Sequence, residues 1–281
     1  LFARTRAELD TFNPVARPAY RDAVLDPFTE PTGTGEQDDP LHFAPSLIAD
    51  ISRTPRQEIA THTFSHYYCG EPGQSVEEFR ADIEAARAIA ARDGIELRSI
   101  VFPRNQHRAD YDAVLLENGI TCYRGNPTSW MWRFESSEQS AGVARRAARL
   151  ADAYAPFTGA NTQAWDEVLQ PNGLANVRAS RFLRPCRPTL RAAEPLRAYR
   201  IRSSIHRAAR EGRIFHLWWH PHNFGVYQDE NLAFLRSILD EVAVCRSRYG
   251  MLSLTMGEVA GMAREITSVA GAGDASCARR A

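Results

Sequence analysis

Two histidines four residues apart, His62 and His66, sit in the stretch Gln57-Glu58-Ile59-Ala60-Thr61-His62-Thr63-Phe64-Ser65-His66-Tyr67-Tyr68-Cys69-Gly70. If the backbone makes one helical turn after Ile59-Ala60, side chains at this spacing share a face and both imidazoles reach one cation. Imidazole with oxygen ligands suits zinc and also accepts cobalt, nickel or manganese, so the pair alone does not choose the metal. Thr63 and Ser65 stand where hydroxyls can orient the rings by hydrogen bonds. The competing reading is that the pair merely decorates a helix, and the neighbourhood has to decide.

That neighbourhood is a set of strand ends. The patterning predicts strands over residues 58–61, 97–102, 120–123, 178–183, 214–219 and 251–254. His62 follows the first, Arg104 the second, Arg124 the third, and His220-Pro221-His222-Asn223 the fifth. Between them the sequence predicts helices. Ser75-Val76-Glu77-Glu78 is a capping box that opens a helix to Arg92, closed by Gly94. Others are expected over 109–117, 140–154, 196–210 with Gly212 as the stop, 231–248, and 255–266 capped at Thr255. Upstream, 1–12 reads as a helix end, 14–26 as a Pro-interrupted helical piece and 43–52 as a helix, separated by an acidic loop over 27–40. That loop carries Asp38 and Asp39, with His42 just beyond, and reads as a solvated insertion more than as a site. The domain is expected to end at 267 and residues 268–281 to be a disordered tail.

Strands alternating with helices argue for parallel pairing with right-handed crossovers. Polar residues just past successive strand ends belong on the face that holds the active site of a parallel α/β barrel.

Composition narrows the partners. The chain has 281 residues, 44% hydrophobic and 24% charged, with zero formal net charge. No bulk electrostatic term favours nucleic acid or an anionic membrane. All 34 basic residues are arginine, which removes a lysine Schiff base and a phosphate loop with its usual lysine. Five cysteines, Cys69, Cys122, Cys186, Cys245 and Cys277, are scattered without paired spacing and read as free thiols of a cytoplasmic protein. No apolar run has the length of a membrane helix.

The segments His62-Thr63-Phe64-Ser65-His66, Val101-Phe102-Pro103-Arg104-Asn105-Gln106 and Leu217-Trp218-Trp219-His220-Pro221-His222-Asn223-Phe224-Gly225 together resemble the polysaccharide deacetylases, carbohydrate esterase family four and its relatives. The resemblance runs from about residue 1 to 266. It implies a distorted (β/α) barrel with fewer than eight strands and a divalent metal, zinc first, held by one aspartate and two histidines. It implies hydrolysis of a carbon–nitrogen bond that frees acetate from an N-acetylated sugar of a glycan or glycoconjugate. Matched residue by residue, His62 and His66 are the histidine ligands and His220 is the general acid, with His222 the alternative across Pro221. Arg104 stands after the proline where the family places its arginine before it.

The family's acidic first motif, source of the base and the third ligand, has no counterpart here. The chain starts at Leu1 inside an expected helix, so that motif and the first strand are expected to lie upstream, and the chain as given is expected to be impaired. Trp219, Arg124 and Asn223 are candidates for substrate contact, with core packing or surface pairing as the competing roles. Two rivals remain open at this point. One is an allantoinase-like hydrolase of a small amide on the same fold; the other is a barrel that binds carbohydrate without catalysis. The sugar and the oligomeric state are not legible in the sequence.

Overall fold

The computed structural model describes residues 2–132, 142–155 and 157–277, with side chains through residue 269. In chain order its helices are α1 (Arg6–Thr11), α2 (Pro45–Arg53), α3 (Val76–Arg92), α4 (Asp112–Glu117), α5 (Val143–Tyr154), α6 (Glu194–Glu211), α7 (Gln228–Tyr249) and α8 (Met256–Cys277). The strands are β1 (Ser99–Ile100), β2 (Cys122–Gly125), β3 (Ala175–Arg178), β4 (Arg181–Phe182) and β5 (Leu217–Trp218). The chain divides into two compact units. The first comprises Leu1–Arg124, Gln170–Asn176 and Thr255–Gly261; the second comprises Gly125–Leu169, Val177–Leu254 and Met262–Ala281.

Helix boundaries follow local chemistry. At the start of α3 the Ser75 hydroxyl accepts from Glu78 N–H while the Glu78 carboxylate accepts from Ser75 N–H, so two orphan donors are satisfied reciprocally. Gly212 ends α6 in the left-handed region at φ 61°. Thr255 and Glu258 exchange the same pair of bonds at the start of α8. Three expectations shift. Residues 14–26 hold only a short 3-10 turn at Ala23–Leu25. The helix expected over 109–117 opens with a 3-10 turn, Ala109–Tyr111, before α4. The last helix continues past Ile266 to Cys277. The expected start of α5 at residue 140 lies outside the described residues.

The expected barrel is not formed. About half the chain is helical, and the five short strands make two small parallel sheets, neither of them closed. One sheet has the order β1-β2-β3 and the other pairs β4 with β5. The reason is visible in the hydrogen bonds of the apolar runs. Residues 58–61 contribute a single parallel bridge, Thr61 to Ile100, and not a strand. In the run 214–219, Ile214 is bridged antiparallel to Gln163, and only Leu217 and Trp218 pair in parallel with β4. Residues 251–254 are irregular. In the first two runs the backbone groups are divided among isolated bridges and short pairings, so no continuous ladder forms.

The first unit's core is aromatic. Tyr67, Phe79, Ile83, Ile100, Phe102, Tyr111 and Leu115 are buried together, with the Phe79 and Tyr111 rings 4.4 Å apart. The second unit's core gathers Leu183, Ile201, Ile205, Phe224 and Ile238. Among the described residues no helix is long and apolar enough to cross a membrane.

Asp152, near the end of α5, ties the second unit together. Its carboxylate accepts from Thr158 N–H at 2.9 Å, from Arg181 Nη1 at 2.8 Å and from Arg200 Nη2 at 2.6 Å. All three charged residues are at most 7% exposed. Asp152→Asn would leave two buried guanidiniums without their counter-charge. It is expected to lower the unfolding free energy by about 3–5 kcal/mol, read as a fall in the denaturant midpoint; an unchanged midpoint would contradict this role.

Candidate functional site

The loop bearing the two histidines is held open by side chains and is not helical. Thr61 N–H donates to Ser99 carbonyl at 3.0 Å and Val101 N–H donates to Thr61 carbonyl at 2.9 Å, which fixes where the loop leaves β1. Thr63 and His66 then take left-handed backbone, at φ 68° and 56°. For side chains with a Cβ this is disfavoured and has to be over-determined by neighbours. The neighbour is Asp82 on α3, 1% exposed. Its carboxylate accepts from Phe64 N–H at 2.7 Å, from Ser65 N–H at 3.0 Å and from the Ser65 hydroxyl. The Thr63 hydroxyl accepts from Tyr67 N–H at 2.7 Å. Thr63 and Ser65 therefore shape the backbone, where the sequence reading had them orienting the rings.

The rings nevertheless meet. His62 and His66 have centroids 4.9 Å apart at 68°. His62 Nδ1 lies 2.6 Å from Val101 carbonyl, an acceptor only, so Nδ1 carries a proton. A backbone carbonyl behind one ring nitrogen is the usual support of a metal-binding imidazole. Partial desolvation of the ring, and after it the Arg104 guanidinium, hold the pKa of His66 below the usual imidazole value, which favours the neutral, ligating form. Tyr68 packs edge-on to His66 with centroids 5.0 Å apart, and the Arg104 guanidinium lies 4.3 Å over the Tyr68 ring.

Arg104 is reached through a second strained turn, with φ 52° at Arg104 and 56° at Asn105. It donates to Glu71 at 3.2 Å, and Gln106 donates to the same oxygen at 3.0 Å. Arg124, which lies inside β2 and not beyond its end, donates to Asn105 Oδ1 at 2.8 Å. Burial alone lowers its pKa to about 10. Beside the histidines opens a pocket of about 580 Å³, lined by both rings, Glu58 and Thr61 and by apolar side chains including Leu47, Ile48 and Phe64.

The donor set fits two positions of a metal's shell. Two imidazoles set edge-on, one of them backed by a carbonyl, suit zinc and its neighbours. Among the described residues no group of three or more His, Cys, Asp or Glu converges as a metal cage.

The remaining candidates belong to the second unit. His220 follows β5 and caps the 3-10 turn Pro221–Phe224, which contains His222 and Asn223. His220 and His222 are stacked 5.1 Å apart at 25°, and the Trp218 ring lies 5.3 Å from His220. Asn223 N–H donates to His220 carbonyl. Trp219 stacks on Phe224 and packs against the core, so Trp218 is the indole beside the histidines. Other histidines have structural partners. His42 pairs with Asp39, His107 with Asp112, His206 with Glu241, and His216 Nδ1 lies 3.3 Å from Val177 carbonyl. Asp38 and Asp39 accept from the backbone of Gly33, Thr34 and Gly35, so they brace the acidic loop.

Sequence reasoning missed Asp82, Tyr68 and Glu71. Asp82 left a signal, a carboxylate in the buried stripe of α3 between Phe79 and Ile83. Tyr68 and Glu71 left none. No family model, curated protein or solved structure matches the chain.

Asp82 has its pKa raised to about 6, because burial disfavours the charge more than its three hydrogen bonds favour it. Between the ordinary carboxylate value and about 6 the folded chain keeps a proton that the unfolded chain has released. This group's contribution to stability therefore falls as pH rises through that window. The side-chain carboxyl ¹³C resonance of Asp82 is expected to titrate with a midpoint near 6; a midpoint at 4 or below would contradict the desolvated clamp.

Proposed function

We propose that this chain is a metal-dependent hydrolase of carbon–nitrogen bonds other than peptide bonds. Its substrate in this reading is an N-acetylated sugar of a glycan or glycoconjugate. The observation that carries the proposal is the His62–His66 pair, two imidazoles 4.9 Å apart with His62 braced on Val101 carbonyl. The three motifs that resemble the polysaccharide deacetylases support it.

Zinc is the first candidate for the ion, ahead of cobalt, nickel and manganese. Bound at the pair it would supply the Lewis acidity that polarises an amide oxygen. The chain's own residues do the rest. Val101 carbonyl holds the His62 tautomer, Asp82 holds the loop between the rings, and depression of its pKa keeps His66 neutral. Arg104, 4.3 Å over Tyr68, presents guanidinium donors to a substrate oxygen.

A second reading, hydrolysis of a small-molecule amide, is favoured by one observation. The space beside the histidines is a half-open, largely apolar pocket of about 580 Å³, a size that suits a compact ligand better than a long glycan. Release of acetate from N-acetylglucosamine oligomers, compared with turnover of small cyclic and acyl amides, separates the two. Carbohydrate binding without acetate release from any of them would instead indicate a non-catalytic carbohydrate-binding protein.

Two substitutions test the assignments. His62→Ala or His66→Ala is expected to abolish zinc retention in equilibrium dialysis, and undiminished stoichiometry in both would remove the ligand assignment.

A further inference from the structure

Among its described residues the second unit contains buried positive charge that Asp152 only half balances. Arg181 and Arg200 both bond to Asp152, and all three are at most 7% exposed. Two guanidiniums against one carboxylate leave a net charge inside the protein, which is unfavourable unless something answers it. Nε of Arg181 and Nε of Arg200 are buried with no hydrogen-bond partner. The surroundings add to the imbalance. Arg184 has its pKa lowered, first by burial and then, against the opposing Tyr154 phenol, by Arg187, Arg149 and Arg197. Glu194 is committed to Arg197 at 2.9 Å.

This charge borders a cavity. Arg200 lines a pocket of about 470 Å³ together with Tyr154, Leu196, Tyr199, Arg207 and Arg210. On α6 the positions 196, 199, 200, 203, 207 and 210 recur at helical spacing, so they form one face, opposite Tyr154 and Gly159. Arg207 is steadied by Glu211 at 2.9 Å, and Arg210 has no ion pair among the described residues. Tyr199 is 73% and Leu196 57% exposed, so this face presents an aromatic and an aliphatic surface beside the cations.

We propose that this pocket binds a small organic anion. Its oxyanion, a phosphate or a carboxylate, sits against Arg207 and Arg210 in the field of the buried arginines. Its apolar or aromatic part lies on Tyr154, Leu196 and Tyr199. Guanidinium forks suit either oxyanion, and an aromatic body takes up the apolar wall. The site is separate from the histidine pair, and its test does not depend on metal or turnover.

Calorimetric titration of the full chain at low ionic strength with phenyl phosphate, benzoate and inorganic phosphate tests it. Saturable binding of phenyl phosphate or benzoate is expected, tighter than inorganic phosphate. Arg207→Gln and Arg210→Gln, both at exposed positions, are each expected to weaken it by about 3- to 10-fold. Tyr199→Ala is expected to remove the advantage over inorganic phosphate, and Arg236→Gln, an exposed arginine on α7, to leave affinity unchanged. Three results would overturn the proposal. These are the absence of saturation with all three anions, affinities in the two arginine variants within about 2-fold of the parent, or an equal loss in Arg236→Gln.

Discussion

A single buried carboxylate governs the histidine loop. Asp82 is 1% exposed, and both its oxygens are spent on Phe64 N–H, Ser65 N–H and the Ser65 hydroxyl. Together with the Thr63 hydroxyl, which accepts from Tyr67 N–H, it offsets the left-handed backbone at Thr63 and His66, each of which costs on the order of 1–3 kcal/mol. With it, the chain turns sharply after the Thr61 bridge, and the two imidazoles meet edge-on with centroids 4.9 Å apart. The carboxylate's burial is unfavourable for its own charge, which is why its pKa rises to about 6. Stability is given up at this point for a fixed loop shape.

The same arrangement recurs around Arg104. Two consecutive left-handed residues, Arg104 and Asn105, lift the guanidinium over Tyr68, while Gln106 and Glu71 hold the turn from below. Strain gathered at two adjacent turns, each braced by polar side chains, is what a functional loop pair looks like when the scaffold beneath it is rigid. Here the scaffold is α3 with its capping box and the aromatic core of Tyr67, Phe79, Phe102 and Tyr111.

What the sequence disclosed depended on how local the physics was. Ser75 with Glu78, Gly212, and Thr255 with Glu258 act within one turn, and the helix ends they mark are where the pattern places them. The identity of the histidine pair was legible because the residue types are rare and close together. The helical turn offered as the reason for their meeting was wrong, since the true cause, Asp82, is 17 residues from Ser65 in sequence. Strand pairing is non-local in the same way. Runs such as 214–219 read as continuous apolar strands, and of that run only Leu217–Trp218 is one. Their hydrogen-bond partners, Gln163 for Ile214 and Arg181 for Leu217, were not deducible from them, and so a closed barrel was inferred where two short open sheets stand.

The central claim is that His62 and His66 are held, in the right protonation states, to grip one cation together. Long-range ¹H–¹⁵N NMR of the imidazoles, with and without one equivalent of zinc, tests it most directly. The account predicts His62 as the Nδ1–H tautomer before addition, and ¹⁵N shifts at both His62 and His66 on addition, with His107 and His206 unmoved. An Nε2–H tautomer at His62, or a zinc response at neither ring, would contradict it.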